Sequence, residues 1–171
     1  LLRGLGGSPA SGASAGASVG RLDGALGVLP VTDAERDAAL SVIAVPQGAR
    51  RSDGRARQLQ AVYQARDLRP LSPVHLKVTL SGAELTLDWI RRTRIGGDRW
   101  QGVDVPLGEA WEAYEVELRD LNGAVIARWS TASPQLVLSL SELPADLSGC
   151  SFSVRQISER YGAGLASVLQ V

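Results

Sequence analysis

The chain has 171 residues, with 18 acidic and 18 basic side chains and no formal net charge. Hydrophobic residues make up 44% and charged residues 21%, the balance of a globular domain rather than a disordered tail. A neutral chain lacks the basic excess needed to neutralise many phosphates, no stretch nears the roughly 20 apolar residues of a membrane span, and one cysteine (Cys150) and one histidine (His75) exclude an internal disulfide and a His-based metal cluster.

The sequence contains no methionine, and it opens Leu1-Leu2-Arg3-Gly4, which resembles neither a signal nor a transit peptide. It is expected to be a piece of a longer polypeptide. Seventeen arginines stand against a single lysine, Lys77.

Residues 6–20 are low-complexity Gly/Ala/Ser sequence with one proline and no charge, too poor in apolar area to offset the entropy of ordering, and are read as a flexible loop. Thr32-Asp33-Ala34-Glu35 has the spacing of a capping box. Leu40–Val45, closed by Pro46-Gln47-Gly48, and Gln58–Gln64 read as strands around an arginine-rich loop. Residues 1–70 are therefore expected to hold a small, loop-rich β unit, too thin in apolar content to stand alone.

From residue 71 onward the pattern is regular. Val74–Leu80, Leu85–Trp89, Tyr114–Leu118, Ala124–Ser130, Leu136–Leu140, Phe152–Ile157 and Leu165–Val171 alternate or run as short strands. Turn residues such as Ser81-Gly82, Asn122-Gly123, Ser148-Gly149 and Gly162 separate many of them. Seven short strands over residues 71–171 predict an all-β sandwich. Its core is expected to be Leu76, Leu85, Leu87, Trp89, Tyr114, Val116, Leu138, Phe152 and Val154.

The chemistry-bearing residues are few. His75 lies on the outward face of a predicted strand, Cys150 reads as a lone buried thiol, and Glu115 and Glu117 share one face of a strand and read as solvated. No glycine-rich phosphate loop has a P-loop or dinucleotide setting. Neither a catalytic residue nor a cofactor or metal ligand is assigned.

The strongest candidate is an interaction surface on the connection between the second and third sandwich strands: Arg91, Arg92, Arg94, Arg99 and Trp100. Residues 91–100 carry four arginines against Asp98, and residues 101–121 carry six carboxylates against Arg119. Two readings stand side by side. The arginines pair internally with Asp104, Glu109 or Glu112 and stack on Trp100 or Trp111, or they face outward as an Arg/Trp contact for a neighbouring protein or a host glycan. The basic run from Arg50 through Arg69 reads as a solvated loop or as a dock for an acidic partner.

The order of Pro73, Trp89, Tyr114, the Leu136–Leu140 strand and the Phe152–Ile157 strand resembles a fibronectin type III domain. Phe152 departs from it, since that position usually carries an aromatic hydroxyl. A narrower resemblance rests on Leu1-Leu2-Arg3-Gly4, Leu22-Asp23-Gly24-Ala25-Leu26, the 68–76 string LRPLSPVHL, the 89–95 string WIRRTRI and the 105–109 string VPLGE. These are similar to the C-terminal part of the large tail-tip, or baseplate, hub protein of phage-like gene transfer agents and related siphophages, although residues 8–19 are more repetitive than usual. The resemblance implies a non-enzymatic structural and binding role at the tail tip of a virus-like particle, with any hydrolase activity lying upstream. The implied partners are other tail and baseplate proteins, copies of the chain as a trimer around the tail axis, and a host cell-surface glycan. No cofactor, nucleic acid or membrane span is implied. The alternative is a polysaccharide-binding accessory module of an extracellular glycoside hydrolase.

Overall fold

A computed structural model describes residues 29–96 and 105–171. These fall into two compact units, 29–66 and 67–171. The Gly/Ala/Ser tract at 6–20 lies outside the described residues. No helix among the described residues is long and apolar enough to cross a membrane.

The smaller unit opens with a single 3₁₀ turn, Asp33–Glu35. The Glu35 carboxylate accepts hydrogen bonds from the Thr32 N–H (2.9 Å) and the Thr32 hydroxyl (2.8 Å), which satisfies donors that a helix start leaves open. Strands β1 (Ala39–Ala44) and β2 (Arg57–Val62) pair antiparallel, from Ala39 opposite Val62 to Ala44 opposite Arg57. Directly opposed residues share a face, so Leu40, Val42, Leu59 and Ala61 make an apolar side. β2 is exposed at every position.

The larger unit is a fibronectin type III-like β-sandwich of seven main strands and one two-residue strand. One sheet has the order β3 (Val74–Ser81), β4 (Glu84–Ile90), β7 (Gln135–Ser139). The other has the order β10 (Ser167–Gln170), β8 (Ser151–Ser158), β5 (Tyr114–Arg119), β6 (Val125–Thr131), and the two-residue β9 (Gly162–Ala163) adds to β8. All pairings are antiparallel. The chain crosses between sheets after β4, β6 and β7, and this cross-over order defines the class.

Period-2 alternation sends Leu85, Leu87 and Trp89 of β4 against Tyr114, Val116 and Leu118 of β5 and Phe152 and Val154 of β8, all buried. Trp89 and Tyr114 meet edge to face, with ring centroids 5.1 Å apart at 71°, a favoured geometry for aromatic quadrupoles. The Tyr114 hydroxyl donates to Glu112 Oε1 at 2.6 Å. Burial first, then that carboxylate, hold the phenol well above its ordinary range.

Leu76 is only half-buried and packs at the edge of the core. Leu118, Leu143 and Cys150 join the core instead. Leu143 enters because β7 stops at Ser139 and Leu140–Glu142 form a 3₁₀ turn, which leaves Leu140 38% exposed. A β-bulge between Val74 and Lys77 puts His75 at φ +55° on the solvent side of β3.

One expectation is overturned. Glu115 and Glu117 do share the outer face of β5, but Glu117 is 1% exposed. Register places Arg128 of β6 and Ser153 of β8 directly opposite Glu117, and Arg155 of β8 opposite Glu115. Arg128 donates to Glu117 Oε1 from Nη2 (2.6 Å) and Nε (3.1 Å), Arg155 Nη2 reaches the same oxygen at 3.1 Å, and Arg119 grips Oε2. Arg155 also binds Glu115, with Nε 2.7 Å from Oε1. The guanidinium stems lie over Glu117 and exclude water, so the outward face of a strand becomes a buried charge centre.

Candidate functional site

Leaving β4 at Ile90, the chain must reach the second sheet before β5 begins at Tyr114, and this connection carries the candidate surface. Arg99, Trp100 and Asp104 lie outside the described residues. Arg91, Arg92 and Arg94 can be followed atom by atom.

Arg91 spans the two arms of the connection: its Nη1 donates to Pro106 O and its Nη2 to Val105 O, each at 3.0 Å, and its Nε lies 3.5 Å from Glu112 Oε1. Arg92 turns to the segment before β3, where Nε donates to Ser72 O (2.7 Å) and Nη2 to Ser72 Oγ (2.6 Å). Arg94 Nη2 donates to Glu109 Oε1 at 3.2 Å, and its guanidinium sits 5.9 Å from the Tyr161 ring centre. The Arg91 and Arg94 side chains are only 11% and 21% exposed. These three residues are thus brought together as internal ties, with Glu109 and Glu112 as partners. Charge-assisted bonds to fixed carbonyls suit arginine's planar fork, which lysine could not reproduce.

Of the two expected stacking partners, Trp100 lies outside the described residues. Arg94 lies over Tyr161, and Arg160 does too, at 5.4 Å, whereas Trp111 is 53% exposed. Tyr161 stands in the turn between β8 and β9, held by its N–H to Ser158 Oγ at 3.1 Å. Sequence spacing gave no sign of this meeting, because Arg94 and Tyr161 are distant in the chain and only the β5–β8 pairing brings them together.

We expect Arg92→Met to lower unfolding free energy by about 1.5–3 kcal/mol, the range for hydrogen bonds to a charged group. Denaturant midpoints would read this; a change within about 0.5 kcal/mol, as at an unconstrained surface position, would show that Ser72 is not held by Arg92 in solution.

In the basic run of the smaller unit several arginines bond to nearby groups. Arg55 forms a fork with Asp53 (Nε–Oδ1 and Nη2–Oδ2, both 3.0 Å), Arg57 donates to the Gly54 and Ala56 carbonyls, and Arg66 donates to Gln64. Arg50 and Arg51 are exposed. Cys150 is buried, at 7% exposure. Among the described residues no group of three or more His, Cys, Asp or Glu side chains is placed to hold a metal ion.

Neither a protein-family model nor a curated protein matches this chain. Among solved structures, domains d3–d4 of the rat CD45 extracellular region superpose with a TM-score of 0.42 at 10% identity, over 93% of this chain and 76% of that one. The spore cortex lytic enzyme SleM of Clostridium perfringens gives 0.38 at 11% identity, over 60% of this chain and 28% of that one. The chicken interferon gamma receptor alpha chain gives 0.37 at 15% identity, over 77% of this chain and 64% of that one. The chain therefore spans under a third of SleM and under two thirds of the receptor chain. Assignment to the fibronectin type III-like class rests on the strand order itself.

Proposed function

We propose that this chain is a structural and binding segment without catalytic activity of its own, the C-terminal part of a tail-tip, or baseplate, hub protein of a phage-like particle. In that setting it contacts other baseplate proteins and copies of itself around the tail axis, and faces the host-cell surface.

One observation carries this reading. Three strings that resemble the hub family, 68–76, 89–95 and 105–109, follow one another along the chain and are joined by side-chain hydrogen bonds. Arg92 of the second binds Ser72 of the first, and Arg91 and Arg94 of the second bind Val105, Pro106 and Glu109 of the third. The resemblance thus follows a single cluster at one end of the sandwich, where the chain enters β3 and passes between sheets. The fold supports the same reading in a general way, since a β-sandwich presents loops and faces for surface contact and its core is closed by packed side chains.

The test is to follow the native polypeptide in the organism that encodes it. Antibody against residues 29–171 should detect it in particles banded on a density gradient, and gold labelling should mark the tail tip. Detection only outside particles, in a secreted polysaccharide-degrading fraction, would replace this reading with the accessory-module one.

A further inference from the structure

Between the β4–β5 connection and the β8–β9 turn lies a cleft of about 390 Å³, lined by Leu68, Arg94, Ile95, Gly108, Glu109, Ala110, Glu159, Arg160 and Tyr161. We propose that this cleft binds an uncharged, polyhydroxylated ligand, one sugar unit of a polysaccharide. The proposal deepens the reading above by giving the host-facing contact a ligand class, and it rests on that reading.

The volume falls within the ~300–1,000 Å³ of small-ligand sites. Its chemistry selects among ligands. Among the described residues two arginines and two glutamates line it, so their charges balance and give no excess to attract a phosphate, a sulfate or a nucleic-acid backbone. Charged groups interrupt its apolar parts, which disfavours a lipid chain or an apolar helix. What remains is a wall with separate donors, separate acceptors and apolar surface between them.

A sugar needs all three, because each hydroxyl both donates and accepts while the ring's C–H face is apolar. Glu159 enters no hydrogen bond or ion pair among the described residues, so its carboxylate is open to accept hydrogen bonds from two hydroxyls. Arg94 is fixed by Glu109 and by the Tyr161 ring, which presents its outer N–H groups at low entropic cost. Ile95 is 54% exposed and, with Ala110 and Leu68, supplies apolar lining. Trp111, next after Ala110 in the chain, is 53% exposed and is a residue type that gives large contact area for little ordering.

Gly108 makes the cleft wall possible. Its φ of +73° is the left-handed region that glycine adopts freely, and it turns the chain so that Glu109 meets Arg94.

The experiment uses the whole 171-residue chain, labelled with ¹⁵N, and titrates it separately with cellotriose, chitotriose, maltotriose and sodium sulfate. Saturable shifts confined to the amides of Ile95, Ala110 and residues 159–161 are expected with at least one trisaccharide. Glu159→Ala, at an exposed position, should weaken that binding about tenfold while leaving the denaturation midpoint unchanged; Trp111→Ala should weaken it as well. Absence of such shifts with all three sugars overturns the proposal, as does binding that neither substitution alters. Sulfate acting on the same amides in place of sugar would make the cleft an anion site and overturn it too. Because particle association is read independently, sugar binding by a chain that never enters particles would sink the hub reading and leave the cleft's ligand class standing.

Discussion

Trp89→Ala is expected to remove ~3–5 kcal/mol of stability, the usual cost of emptying a buried large aromatic site. That is a large share of the ~5–15 kcal/mol that holds a domain folded. Trp89 is 4% exposed, stands on the central strand of the three-stranded sheet and reaches across to Tyr114 on the facing sheet. Truncation therefore loses apolar burial, the edge-to-face contact and the packing between the two sheets at once, and the rigid sheets cannot close over the void. Chemical denaturation of the full chain reads the effect as a lowered midpoint. Trp111→Ala is the companion measurement: at 53% exposure it should change stability by no more than about 0.5 kcal/mol. Equal losses at the two positions would contradict the register of β4 and the exposure of the β4–β5 connection.

Glu117→Ala should cost about 3 kcal/mol near neutral pH. Breaking a fully buried ion pair costs ~3–5 kcal/mol, and the lower end applies because Arg119, Arg128 and Arg155 keep 34%, 55% and 29% of their side chains in contact with water. The pH dependence identifies the cause. Burial acts to raise the Glu117 pKa, but hydrogen bonds from Arg119 and Arg128 and the charge of Arg155 outweigh it, so the carboxyl sits below its ordinary value of 4.5. A group whose folded pKa is depressed stabilises the fold fully above its unfolded pKa and loses that contribution as pH falls through the folded value. The stability gap between wild type and Glu117→Gln should therefore be constant above 4.5 and shrink on acidification below it. A gap that widened with acid would mean that the arginines hold something other than the ionised carboxylate.

Much of the sandwich can be read from local pattern. A two-residue period fixes which side chains of a strand face one way, so Leu85, Leu87, Trp89, Tyr114, Val116, Phe152 and Val154 were assignable to the core before any sheet was drawn. The Asn122-Gly123 turn marks the β5–β6 hairpin, but a register shift between Leu118 and Arg119 intervenes before Arg128 comes opposite Glu117. Arg155 was beyond such reasoning: β8 reaches β5 only after an excursion through the other sheet. Without Arg155 and the closing stems of Arg119 and Arg128, Glu117 looks like any carboxylate on a solvated face.

The candidate surface divides in the same way. Composition and charge runs identified an arginine-rich connection followed by an acidic stretch, and proposed Glu109 and Glu112 among the possible partners. Which arginine meets which group was a matter of three dimensions: Arg91 ties Val105 and Pro106, Arg92 takes Ser72, and Arg94 is shared between Glu109 and Tyr161. The cleft beside them, with Glu159 and Tyr161 on its far wall, left no mark in the sequence.

By itself, then, the sequence determined the all-β class, the seven sandwich strands and most of the core, because those follow from periodicity and turn chemistry within a few neighbouring residues. The buried Glu117 centre, the three arginine ties and the cleft were decided only by the tertiary structure. Each depends on distant strands meeting in one particular register, and the energy of a charged or polar side chain is set by what lies against it rather than by its neighbours along the chain.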